Sequence, residues 1–254
     1  MWPDRRACLG FKDHFSRQSA AYSRYRPSYP DELIAYVAAQ APRRGWALDC
    51  ATGNGQAAIA LAGHFAAVLA VDGSTSQLAR AQPHPRVHYA AALAERLPAR
   101  DGSLDLVVAA QAAHWFDFDR FHAECRRVLA PDGVIALWTY GLFRAGEAVD
   151  AVIDDFYARE IGDDWPPERG YVEQAYRTLP FPWAEQTTPE FVLATDWDLE
   201  QLLGYLASWS AVQRCRERSG RDPLEALRPR LAALWPPSGA LRLCWPLYLR
   251  LGRA

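Results

Sequence analysis

Between residues 46 and 140 short apolar runs alternate with helical stretches, and this spacing suits one architecture above others. Strands are expected at 46–50, 68–71, 87–90, 104–110 and 134–138. Helices are expected between them at 56–65, 74–81 and 118–129, with Ser74 as an N-cap. The run 104–110 is apolar almost throughout, as in strands covered on both faces, and Pro131-Asp132-Gly133 reads as a turn. Strands that alternate with helices at such short intervals join by right-handed crossovers into a parallel sheet. The expected fold is therefore α/β, a doubly wound, mostly parallel sheet of seven strands.

The flanks have a different texture. Residues 11–40 read as one or two helices interrupted at Arg26-Pro27-Ser28-Tyr29-Pro30. After the alternating region come a helix over 146–161, a breaker at Trp165-Pro166-Pro167 and a short helix over 168–179. A sixth strand over 191–195, a long helix over 199–218, a helix over 223–234 and a closing strand over 243–251 follow. Pro246 marks that last strand for an edge or a bulge. One domain over 1–254 is expected, with a helical N-terminal cover (1–45), a ligand-binding core (46–140), an inserted helical lid (141–190) and a part that completes the sheet (191–254).

Composition narrows the functions open to such a chain. Half of its residues are hydrophobic, so it has a core to bury and is not a disordered chain. Twenty-eight basic against 30 acidic side chains leave a net charge of -2, too little field to hold a polyanion, so no nucleic-acid partner is expected. No run approaches the length of a membrane span, and no apolar leader follows the first charges. Cys8, Cys50, Cys125, Cys215 and Cys244 are odd in number and lack a Cys-x-x-Cys pair, which argues for a reducing, cytoplasmic setting and against a metal site. Cys50 and Cys125 read as small buried hydrophobes. Lys12 is the only lysine, so the cationic side chains are nearly all arginines.

The segment Leu48-Asp49-Cys50-Ala51-Thr52-Gly53-Asn54-Gly55-Gln56 runs from a strand through a Gly-x-Gly turn into a helix. Such glycines let the backbone turn tightly and approach a ligand, and the helix start offers free N–H groups. The carboxylate of Asp49, placed ahead of the glycines, would repel a pyrophosphate and attract an ammonium or sulfonium. Asp72 ends the next strand, where a carboxylate can accept both hydroxyls of a ribose.

Four further segments extend this pattern in order: Val71-Asp72-Gly73-Ser74, Ala94-Glu95-Arg96-Leu97-Pro98, Ser103-Leu104-Asp105-Leu106-Val107 and Val128-Leu129-Ala130-Pro131-Asp132-Gly133. Together they resemble the class I S-adenosylmethionine-dependent methyltransferases, within them the type 11 branch. Gln111-Ala112-Ala113-His114-Trp115-Phe116-Asp117 and the lead-in from Tyr22 to Pro30 are similar to trans-aconitate methyltransferase-like small-molecule enzymes. The resemblance covers 11–140 well and thins beyond, where Ser208-Trp209-Ser210 and Trp245-Pro246-Leu247 match. It implies S-adenosyl-L-methionine as cofactor, a Rossmann-like fold and a small-molecule substrate. It implies that Asp49, Gly53, Asn54, Gly55 and Gln56 hold the methionine part, Asp72 the ribose, and Gly73, Ser74, Ala94 and Glu95 the adenine. Gln111 would lie beside the transferable methyl, with Tyr22 and Arg26 closing from the N-terminal side. The family usually has Gly where Ala51 stands and often Asp where Leu93 stands, which leaves adenine recognition to backbone near Ala94 and Glu95.

His114, expected at the carboxyl end of the fourth strand, is the candidate catalytic and substrate-orienting group, as a base for a hydroxyl or an anchor for a carboxylate. Trp115, Trp209 and Ser210 are candidate substrate contacts; the competing reading of each is ordinary core packing. Of ten tryptophans, Trp46 and Trp138 are expected in the strand core, and the six from Trp165 onward suit an apolar cover over a small substrate. Two other functions share parts of the pattern. A nicotinamide-dependent oxidoreductase shares the glycine turn and Asp72 without explaining Asp49, and a non-catalytic protein could keep the fold and the cofactor alone.

Overall fold

The computed structural model describes residues 26–237 and 239–254. Its elements follow the chain as α1 (Asp31–Gln40), β1 (Trp46–Cys50), α2 (Gln56–Leu61), β2 (Ala67–Asp72), α3 (Thr75–Leu78), β3 (Val87–Ala91) and β4 (Leu104–Ala110). Then come α4 (Phe118–Val128), β5 (Leu129–Tyr140), α5 (Glu147–Asp155), α6 (Arg169–Glu173), β6 (Ala184–Gln186) and β7 (Phe191–Trp197). Helices α7 (Leu199–Ala207), α8 (Ser210–Ser219) and α9 (Pro223–Ala232) precede β8 (Leu241–Arg253).

The sheet runs β3-β2-β1-β4-β5-β8-β6, and the first five strands are parallel. β8 is antiparallel to β5, and β6 and β7 pair in succession along the opposite edge of β8. The sheet is thus seven strands wide, with eight segments. Both faces are covered, which is why the inner strands are apolar at most positions, with Asp49, Asp72 and Asp105 as buried exceptions. Ala47, Val68, Leu106 and Val108 face one core with α1 and α2, while Leu48, Cys50, Val71, Val107 and Ala109 face the other. Helix α4 buries Phe121, His122, Cys125 and Val128 at helical spacing, and Asp117 caps it by accepting from the Arg120 N–H.

Several expectations change: the turn expected at Pro131-Asp132-Gly133 falls inside β5, and the helices expected over 56–65, 74–81 and 146–161 are shorter. The single helix over 199–218 is two helices. The Ser208 hydroxyl donates to the Tyr205 carbonyl, and Trp209 takes extended backbone, so the chain turns between α7 and α8. β8 is an interior strand despite Pro246. The Pro246 carbonyl accepts from Gly141 N–H just past the end of β5, so its nitrogen faces a side where no strand asks for a donor. The helix over 168–179 stops at Glu173 because Ala175 and Tyr176 adopt left-handed backbone. Trp138 is fully buried, but Trp46 is 43% exposed and packs on His88 at the sheet rim.

Candidate functional site

The glycine turn, Asp72 and Gln111 lie at the carboxyl end of the parallel strands, where sheets of this kind bind ligands. Asp49 is 1% exposed; one oxygen accepts from the Thr52 hydroxyl at 2.6 Å, and the other, Oδ1, has no hydrogen-bond partner among the described residues. Burial pushes its carboxyl up to about 7, against the lowering effect of the Thr52 hydroxyl. Such a carboxylate is short of a cation or a donor.

The turn beyond it uses left-handed backbone at Ala51 (φ 54°), Gly53 (φ 60°) and Gly55 (φ 91°). A side chain on Gly55 would run into the Tyr89 hydroxyl, whereas the space over Gly53 is open. Asp72 holds the turn: its oxygens accept from Gly53 N–H at 2.8 Å and Ser74 N–H at 2.7 Å. Ser74 caps α3 as expected, and Gly73 lies in the β2–α3 turn. The Asn54 carbonyl accepts from Gln82 N–H, while Gln56 reaches back to the Arg26 carbonyl at 3.4 Å. Ala94 is buried, and Glu95 turns its carboxylate onto the Asp117 N–H at the head of α4. Tyr22 lies outside the described residues.

Arg26, Gln111, His114, Trp115, Trp209 and Ser210, scattered through the sequence, line one cavity that opens to solvent. Gln111 sits in left-handed backbone (φ 57°), with its amide oxygen accepting from the Thr139 hydroxyl and its amide nitrogen facing the Tyr140 carbonyl. Arg26 donates to the Tyr140 hydroxyl at 2.6 Å and lies over the Tyr205 ring. His114 is buried on a 3₁₀ turn (Ala113–Trp115), and its Nδ1 is 2.7 Å from the Tyr176 hydroxyl. Burial, then the Arg169 charge, hold its imidazole down to about 3. It is therefore neutral at any ordinary pH.

The same cavity takes Tyr140, Trp165, Pro166, Arg169, Tyr205 and Ser208, which the sequence did not single out as site residues. Trp165 had read as part of a helix breaker and as one of six tryptophans suited to an apolar cover, Pro166 only as part of that breaker, and Arg169 carried no mark among so many arginines. Only Trp165 and Trp209 of the six later tryptophans line the cavity. Trp197 and Trp245 pack into the core, and Trp183 donates to His122. No cluster of His, Cys, Asp and Glu able to hold a metal ion occurs among the described residues, and no described helix is long and apolar enough to cross a membrane.

The methyltransferase domain family matches residues 48–137. A protein of Dictyostelium discoideum described as a methyltransferase is 30% identical over 96% of this chain and 95% of its own. An uncharacterised methyltransferase of Mycobacterium tuberculosis is 31% identical over 86% of this chain and 88% of its own. The solved structure of a protein described as a type II methyltransferase from Anaeromyxobacter dehalogenans superposes with a TM-score of 0.84, at 48% identity, covering 90% of this chain and 98% of that one.

Proposed function

Because the chain belongs to the methyltransferase family, we propose that it moves the methyl group of S-adenosyl-L-methionine onto a small acidic molecule. The residues at the glycine turn fit that cofactor. The unpartnered oxygen of buried Asp49 suits its ammonium, Gly53 leaves room for close approach, and Asp72 stands at the ribose position with Gly73 and Ser74 beside it. Gly55, Asn54 and Gln56 shape the turn and the head of α2, and Ala94 and Glu95 border the adenine side. The bound cofactor would supply an electrophilic methyl on a good leaving group.

The observation that carries the acidic substrate is the cavity wall. It holds Arg26, Arg169 and a neutral imidazole, with no carboxylate among its described lining residues. A hydroxyl acceptor would need a base near neutral pKa, and His114, held down to about 3, is a poor one. A carboxylate arrives already ionised and needs only orientation and a dry site. His114 therefore orients the acceptor, Trp115, Trp209 and Ser210 shape its berth, and Gln111 stands beside the reacting methyl. Arg26 closes the cofactor side. The resemblance of 111–117 to trans-aconitate methyltransferase-like enzymes supports the same substrate class.

The described cysteines are all unpaired and three of them are buried, in keeping with a cytoplasmic setting. Calorimetry with S-adenosylhomocysteine tests the cofactor reading, and a saturable binding isotherm is expected. Folded protein that shows no heat at near-millimolar ligand removes the proposal. Transfer of labelled methyl to carboxylic acids but not to phenols is the second expectation.

A further inference from the structure

The cavity has a second chemistry that the cofactor does not use. Its walls are unusually aromatic: Trp115, Tyr140, Trp165, Tyr205 and Trp209. A box of rings most often reads an organic cation. Here the lid defeats that reading. Arg169, the first residue of α6, lies 4.7 Å from the centre of the Trp165 ring and 5.4 Å from that of Tyr157. Its Nε donates to the Tyr157 hydroxyl at 2.7 Å, and that hydroxyl donates onward to Glu173 at 2.6 Å. Glu173 is thus satisfied through the phenol. No carboxylate of the described residues forms an ion pair with Arg169, while Arg218 on α8 and Arg230 on α9 do pair with Asp164 and Asp155 of the lid region.

We propose that Arg169 selects the substrate by pairing with the carboxylate of a compact, flat acid, aromatic or conjugated, whose body lies against the Trp165 and Trp209 side of the cavity. The stacking on Trp165 and Tyr157 and the bond to Tyr157 fix the guanidinium plane, so little side-chain freedom is lost when an anion arrives. Ring walls favour a flat apolar body over a puckered one. The Arg169 guanidinium disfavours an amine in its place. Methylation of the carboxylate cancels the charge that Arg169 holds, which weakens the ester relative to the acid and favours release. The proposal rests on the methyltransferase reading of the site.

The test is calorimetry on the full chain saturated with S-adenosylhomocysteine, which lacks the sulfonium charge, so that any preference for anions belongs to the protein. The probes are benzoate and cinnamate, their amides, benzylamine and cyclohexanecarboxylate. At least one flat acid is expected to bind about tenfold or more tighter than its amide and than the saturated acid, with benzylamine silent. Arg169→Met should erase the preference for acid over amide, and Arg169→Lys should restore part of it. Amides that match their acids, benzylamine that binds better, or an acid preference that survives in Arg169→Met overturns the proposal. If Arg169→Met does not fold, the wild-type comparison with Arg169→Lys decides. Failure to bind S-adenosylhomocysteine is failure of the cofactor reading; binding it without acid preference is failure of this one.

Discussion

At the scale of single residues, the carboxylates of the glycine turn do two different jobs. Asp49 is buried with one oxygen unpartnered among the described residues and its carboxyl pushed up to about 7, so it takes a cation poorly while protonated. A bound ammonium would favour the ionised form and lower that value. Cofactor affinity should therefore rise as pH climbs from 5.5 towards 7, by up to about tenfold per unit, and level off above. Calorimetry across that range, with Asp49→Asn expected to flatten the rise, checks it. Asp72 accepts from two backbone N–H groups, so it organises the turn as well as the ribose site. Asp72→Ala should cost about 1–3 kcal/mol in urea unfolding in addition to cofactor binding. Ala51 sits where its family usually has Gly, in left-handed backbone that a Cβ disfavours. Ala51→Gly should gain up to about 1 kcal/mol, because the relieved strain slightly exceeds the added freedom of the unfolded chain.

At the scale of elements, the lid is joined to the domain by rings. Trp165 packs on Tyr157 and on Trp209, and Trp209 packs on Tyr205, so the chain break between α7 and α8 places the ring on which the lid rests. The glycine turn takes no part in this stack. Trp165→Ala should leave affinity for S-adenosylhomocysteine within about twofold while raising KM for the acceptor about tenfold, since the loss falls on ordered lid contacts alone. Calorimetry and initial rates separate the two. An equal loss in both would mean that the lid and the turn are one unit. The left-handed pair Ala175-Tyr176 follows α6 and turns the chain, and the Tyr176 hydroxyl meets His114.

At the scale of the molecule, a ligand that binds only the folded chain stabilises it by mass action. S-adenosylhomocysteine at a hundred times its Kd should add about 2.7 kcal/mol, a rise of about 5–10 °C in Tm for a chain of this size. Calorimetric scans check the shift, which Asp72→Ala should abolish. His114 gives the folded chain an acid limit. Its imidazole is held down to about 3 when folded, against an ordinary value near 6.5, so its contribution is present above pH 6.5 and is lost as pH falls. Unfolding free energy should drop by about 2 kcal/mol from this group between pH 6.5 and 5, and His114→Gln should flatten that slope.

Much of the fold and of the cofactor half of the site is legible in the chain because local rules write them there. Strands buried on both faces are apolar at most positions, a turn at Gly53 and Gly55 favours glycines, and Asp49 and Asp72 stand in the last two positions of their strands. Trp46 misled for the same local reason, since its strand continues to a rim that the pattern does not mark. The acceptor half reads differently. Sequence spacing brought out His114 and Trp209, but Arg169 and Trp165 sit more than 50 residues from His114 and share a cavity with it only in the folded chain. Neither has a local signature, because an arginine that reads an anion and one that merely faces water are the same letter. By itself the sequence determined the parallel sheet, the glycine turn and the acids beside it. The tertiary structure alone decided that His114 is neutral, that the cavity is cationic and ring-walled, and that Arg169 faces it without an acid partner among the described residues, since burial and pairing are set by which distant segments pack together.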